Sequence, residues 1–168
     1  MNYMIFYDVL ESNKELDEMF NVTFPDPEMV KKNKLELLVE IGELANETRF
    51  FKYWSNKKMD MELVRGEYAD CIIMAFYFFN IMNINLDEKF KVIDEYDNVD
   101  IFGRLYKLAS DFYYNDDKEI IKEFFVTIIN LGYMIGFNNE DIINACITKI
   151  NKNKSHFKEN IWNYQKNI

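Results

Sequence analysis

The sequence has few of the residues that form tight turns, with five glycines and two prolines in 168 residues. All-β sandwiches and barrels need many such turns, so this scarcity disfavours an all-β fold. Only two cysteines occur, Cys71 and Cys146, far apart in apolar surroundings. They are expected to be buried free thiols and not part of a disulfide framework. The length predicts one domain over residues 1–168.

Basic residues are also in the minority, at 20 against 29 acidic ones, which gives a net charge of −9. Such a chain repels a phosphate backbone, so nucleic acid is not an expected partner. The longest apolar run, Cys71–Phe79, is shorter than the ~20 residues that a membrane-spanning helix needs. The first ten residues lack the basic and small-residue features of a signal peptide. We therefore expect a soluble cytoplasmic protein.

Between modest breaks, the apolar residues recur with a helical period and predict an all-α bundle of five to six helices. The clearest break is at residues 23–27, where two prolines exclude a helix interior. The third helix becomes apolar on every face and should be central. The many aromatic residues, 15 Phe and 11 Tyr, suggest a subunit interface. The predicted helices span about Tyr3–Phe20, Glu28–Phe51, Met61–Met82, Ile101–Tyr113 and Lys118–Ile135, and a sixth, capped by Asn138 or Asn139, runs to about Lys152.

Acidic residues recur at helical spacing in the second and third predicted helices. The second helix carries Glu36, Glu40, Glu43 and Glu47, and the third carries Glu62, Glu67 and Asp70. Residues three or four apart share one helix face, so two acids from each helix could form an oxygen-rich cluster. Such a cluster suits Mg²⁺, or Mn²⁺, together with a phosphorylated substrate. As spacing alone, the pattern is equally that of solvated acidic faces.

The residues around these acids resemble the sequence motifs of a known family. The segment Glu40–Ser55, EIGELANETRFFKYWS, is followed by Glu67-Tyr68-Ala69-Asp70. Together they resemble the E-x-x-E … E-x-x-D signature of the all-α nucleoside triphosphate pyrophosphatases, which include the MazG-type enzymes. The first segment is most similar to the dimeric dUTPases, and Asn13–Glu18 is similar to their Q-K-E-L-D-E segment. The resemblance covers about residues 5–80, is thinner through 139–157, and has no clear counterpart for 84–118.

The resemblance implies an activity and a metal site. Dimeric dUTPases hydrolyse dUTP, and usually dUDP, to dUMP by in-line attack of an activated water on phosphorus. The Mg²⁺ ligands would be Glu40, Glu43, Glu67 and Asp70, with the metals neutralising the phosphate charge. Glu40 would be the catalytic residue that orients and deprotonates the water. A homodimer is expected, with a deoxynucleoside triphosphate or diphosphate as its substrate.

The resemblance also implies substrate contacts. Lys52 would pair with phosphate, Trp54 would wall the nucleotide pocket, and the amide of Asn13 would pair with the uracil edge. Lys149 and Asn153, four residues apart, are similar to a K-x-x-x-N segment that contributes to base and phosphate binding. Simpler interpretations stay open: an exposed lysine, a packing tryptophan, a solvated asparagine, and a chance match in a Lys- and Asn-rich segment.

Some positions depart from the family pattern. Ile73 and Met74 stand where the family often has a His-Phe pair, and His156 stands at an Arg position. These changes spare the acids but alter nucleotide recognition. Two alternatives therefore remain: a MazG-like pyrophosphatase for another nucleotide, such as dCTP or a modified one, and a non-enzymatic helical interaction protein.

Overall fold

The computed structural model describes residues 2–23, 26–91 and 96–166, with residues 23 and 160–166 described by their backbone alone. Within these ranges the chain forms six α-helices and no β-strand. The all-α fold class predicted from the sequence is confirmed. The helices are α1 (Tyr7–Thr23), α2 (Met29–Thr48), α3 (Met61–Met82), α4 (Asp100–Tyr114), α5 (Lys118–Ile135) and α6 (Asn139–Lys166), and a 3₁₀ turn over Tyr3–Phe6 precedes α1.

The end of α2 differs from the predicted one. The helix ends at Thr48, not near Phe51, because Arg49 adopts a left-handed conformation with φ of 62°. The backbone N–H of Arg49 still bonds to the carbonyl oxygen of Ala45, which closes the last turn. The chain then leaves the helix direction, so residues 49–60 form a loop and not a continuation of the acidic helix face.

The last helix is longer than predicted, since α6 continues to Lys166 and does not end near Lys152. Residues 151–166 contain neither glycine nor proline, so no residue there interrupts the helical hydrogen bonds. The predicted break between the first two helices falls at residues 23–27, of which Phe24 and Pro25 lie outside the described residues. Asp26 and Pro27 separate α1 from α2 as expected.

Helix α3 is the centre of the bundle and packs against α1, α2, α5 and α6. Every residue from Tyr68 to Phe79 except Met74 is buried, which confirms the position predicted from its apolar faces. Asp60 is the N-cap residue before the helix, and its side chain accepts hydrogen bonds from two backbone N–H groups of the first turn. Glu67 and Asp70 therefore lie where α3 passes from its solvated start into the core.

Much of the aromatic content lies inside the bundle. The ring of Phe125 on α5 is within 6.0 Å, between centroids, of five other aromatic rings, those of Tyr3, Phe6, Phe76, Phe79 and Phe90. Aromatic pairs at such distances add to the stability that burial supplies. Many of the Phe and Tyr side chains counted in the sequence therefore pack in the core, and only some of them remain on the surface.

No single one of the described helices is long and apolar enough to cross a membrane. Helix α5 and the first part of α6 satisfy the length and composition requirements only as a pair, and that pair is bent by 112°. The apolar side chains of α5 are largely buried in the bundle core.

Candidate metal and nucleotide site

Two neighbouring helices, α2 and α3, bring three acidic side chains together. Glu40 lies on α2, whereas Glu67 and Asp70 lie on α3, and one carboxylate oxygen from each is within 4.8 Å of the others. The helices pack against each other, and the three-residue spacing puts Glu67 and Asp70 on one face of α3. Three of the four acids predicted as metal ligands therefore form one cluster, here called the acidic cluster.

Glu43, the fourth predicted ligand, lies at the border of the acidic cluster and is exposed. It lines a shallow cleft together with Val39, Glu47 and Glu67. Its negative charge contributes to the raised pKa of Glu40 and of Glu67, so Glu43 is close enough to act electrostatically on both carboxyl groups. Glu43 is thus within electrostatic reach of the cluster without being part of it.

The carboxyl groups of the cluster are shielded from water and repel one another. Burial raises the pKa of Glu40 to about 8, and the charge of Asp70 adds to the effect. Burial is also the largest cause of the raised pKa of Glu67 and of Asp70. Carboxylates in this situation are stabilised by a cation, which replaces lost hydration and removes the mutual repulsion.

Lys149 of α6 reaches the acidic cluster from the other side. Its ammonium forms an ion pair with Asp70 Oδ2, and the two side chains are 22% and 12% exposed. Burial, the largest single cause, acts to lower the pKa of Lys149, but the hydrogen bond to Asp70 and the negative charges of Asp70, Glu67 and Glu40 together outweigh it, so the pKa is raised. A residue predicted to bind the nucleotide is therefore placed against a predicted metal ligand.

A cavity of about 230 Å³ lies between α1, α2, α3 and α6. Apolar side chains form much of its wall, and several amide and carboxyl groups are set among them. Its lining includes the apolar Leu16, Phe20, Ile73, Met74 and Tyr77 and the polar Asn13, Asp17, Asn33, Glu36 and Asn153. A mostly apolar cavity with a few polar groups is the usual form of a small-molecule site.

The cavity lies one helical turn away from the acidic cluster on three helices. On α2, the lining residue Glu36 precedes Glu40 by four positions, and on α3 the lining residue Ile73 follows Asp70 by three. On α6, Asn153 follows Lys149 by four. One turn of helix is about 5.4 Å, so a ligand in the cavity can extend polar groups into the cluster.

Asn13 and Asn153, both predicted to contact the nucleotide, line this cavity. Asn13 is 2% exposed. Its amide nitrogen donates one hydrogen bond to the carbonyl oxygen of Ile73 and one to Asp17 Oδ2, each at 3.1 Å. The solvated interpretation of Asn13 is therefore wrong, because the side chain is buried and hydrogen-bonded across two helices.

Two acidic residues of the cavity were missed by the sequence analysis. Asp17 lies four residues after Asn13 on α1, and burial raises its pKa to about 7. Glu36 was named among the acids of the second helix but given no role in the site, yet it lines the cavity, and its pKa is raised by burial and then by the charge of Asp70. The four-residue spacings from Asn13 and from Glu40 are the signals that could have found them.

The structure does not bring Lys52 and Trp54 to the acidic cluster or to the cavity described here. The ammonium of Lys52 donates to the backbone oxygen of Asn46 at 3.0 Å and to its side-chain oxygen at 2.5 Å. Trp54 is 64% exposed and makes edge contacts with the rings of Phe51 and Tyr53. Both residues lie in the loop after α2, where Lys52 compensates the carbonyl groups at the helix end.

The departures from the family pattern fall in two places. Ile73 and Met74 line the cavity, so this difference affects the wall that a ligand would touch. His156 is exposed on α6, whereas Phe157 beside it is buried and packs on Phe20 at 4.6 Å between ring centroids. The change at Ile73 and Met74 is therefore the one that bears on ligand selection.

Comparison with known proteins agrees with this geometry. A family model described as dUTPase matches residues 5–161, nearly the whole chain. A search of curated proteins found no match. The family's general reaction, hydrolysis of dUTP, requires a site for a nucleotide and for its phosphates, and the cavity and the acidic cluster adjoin each other in that manner. On the extent of the family match and the all-α fold, the chain belongs to the dUTPase family of the dimeric, all-α type.

Proposed function

We propose that this protein hydrolyses dUTP and dUDP to dUMP with Mg²⁺ held by the acidic cluster. The observation that carries the proposal is the convergence of Glu40, Glu67 and Asp70 within 4.8 Å, one helical turn from a cavity lined by Asn13 and Asn153. The metals would be held by these three carboxylates, with Glu43 at the border as the fourth ligand.

The chemistry of the cluster fits a magnesium site. Its donors are carboxylate oxygens, the hard ligands that Mg²⁺ and Mn²⁺ prefer, and they come from two rigid helices. Burial, with a smaller contribution from neighbouring acids, raises the pKa values of Glu40, Glu67 and Asp70, and a divalent cation would offset both effects. Bound there, Mg²⁺ would polarise the phosphate oxygens and neutralise the charge that develops on them.

The side chains of the chain take the remaining roles. Glu40 orients the attacking water and accepts its proton. Burial and the neighbouring acids raise its pKa to about 8 without a metal, and a bound Mg²⁺ would lower this pKa and so keep the carboxylate ionised for that role. Lys149 brings a positive charge to the cluster and supports the phosphates, and Asn13 and Asn153 contact the base. Lys52 and Trp54 belong to the proposal through the motif resemblance alone.

The test is phosphate and pyrophosphate release from a panel of deoxynucleoside triphosphates and diphosphates, with Mg²⁺ and with EDTA. We expect Mg²⁺-dependent turnover of dUTP and dUDP, and loss of roughly 10²–10⁴-fold in kcat for Glu40→Gln. The matched control is Glu11→Gln, which neutralises an exposed glutamate of α1 and should retain turnover. Full activity of the Glu40 variant would contradict the proposed site.

Metal binding can be measured separately by thermal unfolding. A ligand at 100 times its Kd stabilises the folded state by about 2.7 kcal/mol, or roughly 5–10 °C for a chain of this size. We expect such a rise with Mg²⁺ for the wild-type protein and for Glu11→Gln, and a much smaller one for Glu40→Gln. Equal rises in all three proteins would place the metal elsewhere.

One observation favours a second candidate substrate within the same reaction. Ile73 and Met74 replace a polar and an aromatic side chain of the family pattern, and both line the cavity. A pocket altered there could select another deoxynucleotide, such as dCTP or a modified nucleotide, while the acidic cluster is kept. Turnover of such a nucleotide in place of dUTP in the panel would support this alternative. The non-enzymatic alternative loses support, because three of the four acids lie together, although the fourth, Glu43, is exposed at the border of the cluster.

A further inference from the structure

A second concave surface adjoins the acidic cluster, on the side away from the cavity. It is a groove of about 450 Å³ between α3 and α6, here called the α3/α6 groove. Its lining includes three basic side chains, Arg65, Lys149 and Lys152, and three acidic ones, Glu62, Glu67 and Asp141. Because Glu67 is also a member of the acidic cluster, the groove opens directly onto the proposed metal site.

The groove, the cluster and the cavity follow one another in the same order along both helices. On α3, Gly66 lines the groove, Asp70 belongs to the cluster and Ile73 lines the cavity. On α6, Ala145 lines the groove and Asn153 lines the cavity. Each step along α3 is about one helical turn, or ~5 Å. A nucleotide with its base in the cavity therefore has its first phosphate near the cluster, and a longer phosphate chain extends into the groove.

Two cations of the groove have no acidic partner in the protein. Lys149 is paired with Asp70, but among the described residues neither Arg65 nor Lys152 forms a hydrogen bond or an ion pair. The guanidinium of Arg65 lies over the ring of Phe137, 5.5 Å from its centroid. This contact uses none of its N–H groups, so all five donors are available to an anion.

The acidic residues of the groove leave room for an anion. Glu67 faces the proposed metal. Asp141 Oδ2 accepts a hydrogen bond from the backbone N–H of Asn138 at 3.0 Å, so its charge is engaged at the start of α6. Glu62 is exposed in the first turn of α3, one turn before Gly66 and therefore at the end of the groove farther from the cluster.

We propose that the α3/α6 groove binds the β- and γ-phosphates of the nucleotide, and the pyrophosphate that hydrolysis releases, through Arg65 and Lys152. Arg65 precedes Asp70 by five positions and is assigned to the terminal phosphate. Lys152 is closer to the cluster, since its charge acts on Asp70, and is assigned to the β-phosphate. The inference rests on the proposed function for the identity of the substrate and adds residues that distinguish triphosphate from diphosphate.

The test measures binding, by calorimetry with Mg²⁺, of dUMP and of the α,β-imido analogues of dUDP and dUTP. The imido nitrogen prevents cleavage to dUMP, so the result does not depend on turnover. We expect Arg65→Gln to weaken the triphosphate analogue about tenfold or more and the diphosphate analogue by about threefold at most, because a charge-assisted contact to the terminal phosphate is lost. Lys152→Gln should weaken both analogues, and both variants should bind dUMP as wild type does.

Two further variants show whether charge at these positions is what matters. Arg65→Lys keeps a cation in the groove and should recover most of the affinity for the triphosphate analogue. Lys118→Gln removes a positive charge from an exposed lysine of α5 that does not line the groove, and it is the matched control. It should bind all three nucleotides as wild type does.

Pyrophosphate distinguishes a product subsite from a separate anion site. In wild-type protein it should compete with the triphosphate analogue and bind together with dUMP. Pyrophosphate that binds together with the triphosphate analogue would overturn the proposal. Equal weakening of dUMP and both analogues in Arg65→Gln, or unchanged affinities in both groove variants, would overturn it as well. If Arg65→Gln folds poorly after losing its contact with Phe137, Lys152→Gln still provides the test, because Lys152 is exposed and has no such contact.

The two proposals fail separately. Mg²⁺-dependent turnover of dUTP, together with wild-type affinity for the triphosphate analogue in both groove variants, would support the reaction and refute the inference. Absence of turnover for every nucleotide, together with a preference for the triphosphate analogue that is lost in Arg65→Gln, would refute the reaction and support the groove as a phosphate subsite.

Discussion

Asp17 and Glu40 are acidic residues whose pKa is raised chiefly by burial, to about 7 and about 8 respectively. Each makes the folded state less stable when it ionises, because a buried carboxylate has lost hydration that neighbouring groups do not fully replace. Proteins commonly accept such a cost where a charged group is needed for function. Both residues lie in the proposed site, and their raised pKa values should make the free energy of unfolding depend on pH.

Ionisation of Asp17 should lower the stability of the folded protein as the pH rises. Its pKa is about 7 in the folded protein, against 3.8 for an aspartate in water. Between these values the folded state holds a proton that the unfolded state has released, so the free energy of unfolding falls as pH rises from about 4 to about 7. A shift of this size corresponds to about 4 kcal/mol. Asp17→Asn should therefore become more stable relative to wild type across this range.

Denaturant unfolding of both proteins at pH 4, 5, 6, 7 and 8 measures the effect. The other acids of the site also titrate, but they are common to both proteins and cancel in the difference between them. We expect the difference to grow up to about pH 7 and then to level off. A difference that stays constant from pH 4 to pH 8 would show that the Asp17 carboxyl is not shielded as the structure has it.

The residues of the acidic cluster were accessible from the sequence, whereas the long-range partner of Asn13 was not. Glu67 and Asp70 share a helix face because of their spacing, and the motif resemblance paired them with Glu40. The bond from Asn13 to the carbonyl oxygen of Ile73 joins residues 60 positions apart, and only the packing of α1 on α3 creates it. No local pattern reports such a contact.

At the scale of the helices, the position of α3 controls the site. Tyr68, which follows Glu67 directly, is fully buried and donates from its hydroxyl to the carbonyl oxygen of Ile128 on α5 at 3.0 Å. Its ring lies against Gly132, where an added Cβ would be 2.7 Å from Tyr68 Cζ and closer still to the hydroxyl oxygen. Glycine is needed at this position for the close approach of α3 and α5.

Gly132→Ala should therefore destabilise the protein, by roughly 1–3 kcal/mol for an overpacked core. It should also weaken Mg²⁺ binding, because displacing Tyr68 moves the adjacent Glu67 out of the acidic cluster. Thermal unfolding with and without Mg²⁺ measures both effects. Gly103→Ala on α4 is the matched control, since no atom lies within 4 Å of its added Cβ. Helix propensity alone should make that variant more stable by about 1 kcal/mol.

If Gly132→Ala proves as stable as wild type and binds Mg²⁺ equally well, the contact between α3 and α5 does not hold Glu67 in place.

The helices themselves were predictable because apolar periodicity is local, and the central position of α3 followed from its apolar faces. The end of α2 could not be predicted, because the left-handed conformation that ends it is adopted by Arg49, and arginine has no special preference for that conformation. The length of α6 was underestimated because polar helical residues carry little periodic signal.

At the scale of the whole molecule, net charge and exposed apolar surface have opposite effects on the association of two copies of the chain. The chain carries a net charge of −9, so two copies repel. Yet one surface between α2 and α4 is almost free of charge. Among the eleven residues that line a cavity there, Asp100 is the only charged one, and the exposed Phe51, Val99 and Tyr106 are among the others. Depletion of charge is typical of the core of a protein–protein interface.

The homodimer, which stays a prediction, should therefore form through this surface and depend on salt. Sedimentation at micromolar concentration should show a dimer whose Kd becomes lower as NaCl rises from 50 to 500 mM, because salt screens the repulsion between the copies. Val99→Glu should weaken the dimer at least tenfold by placing a charge in the apolar contact. Val22→Glu, at an even more exposed valine of α1, is the matched control and should not change it. A monomer at every salt concentration would remove the dimer, and equal effects of the two variants would remove this surface as its interface.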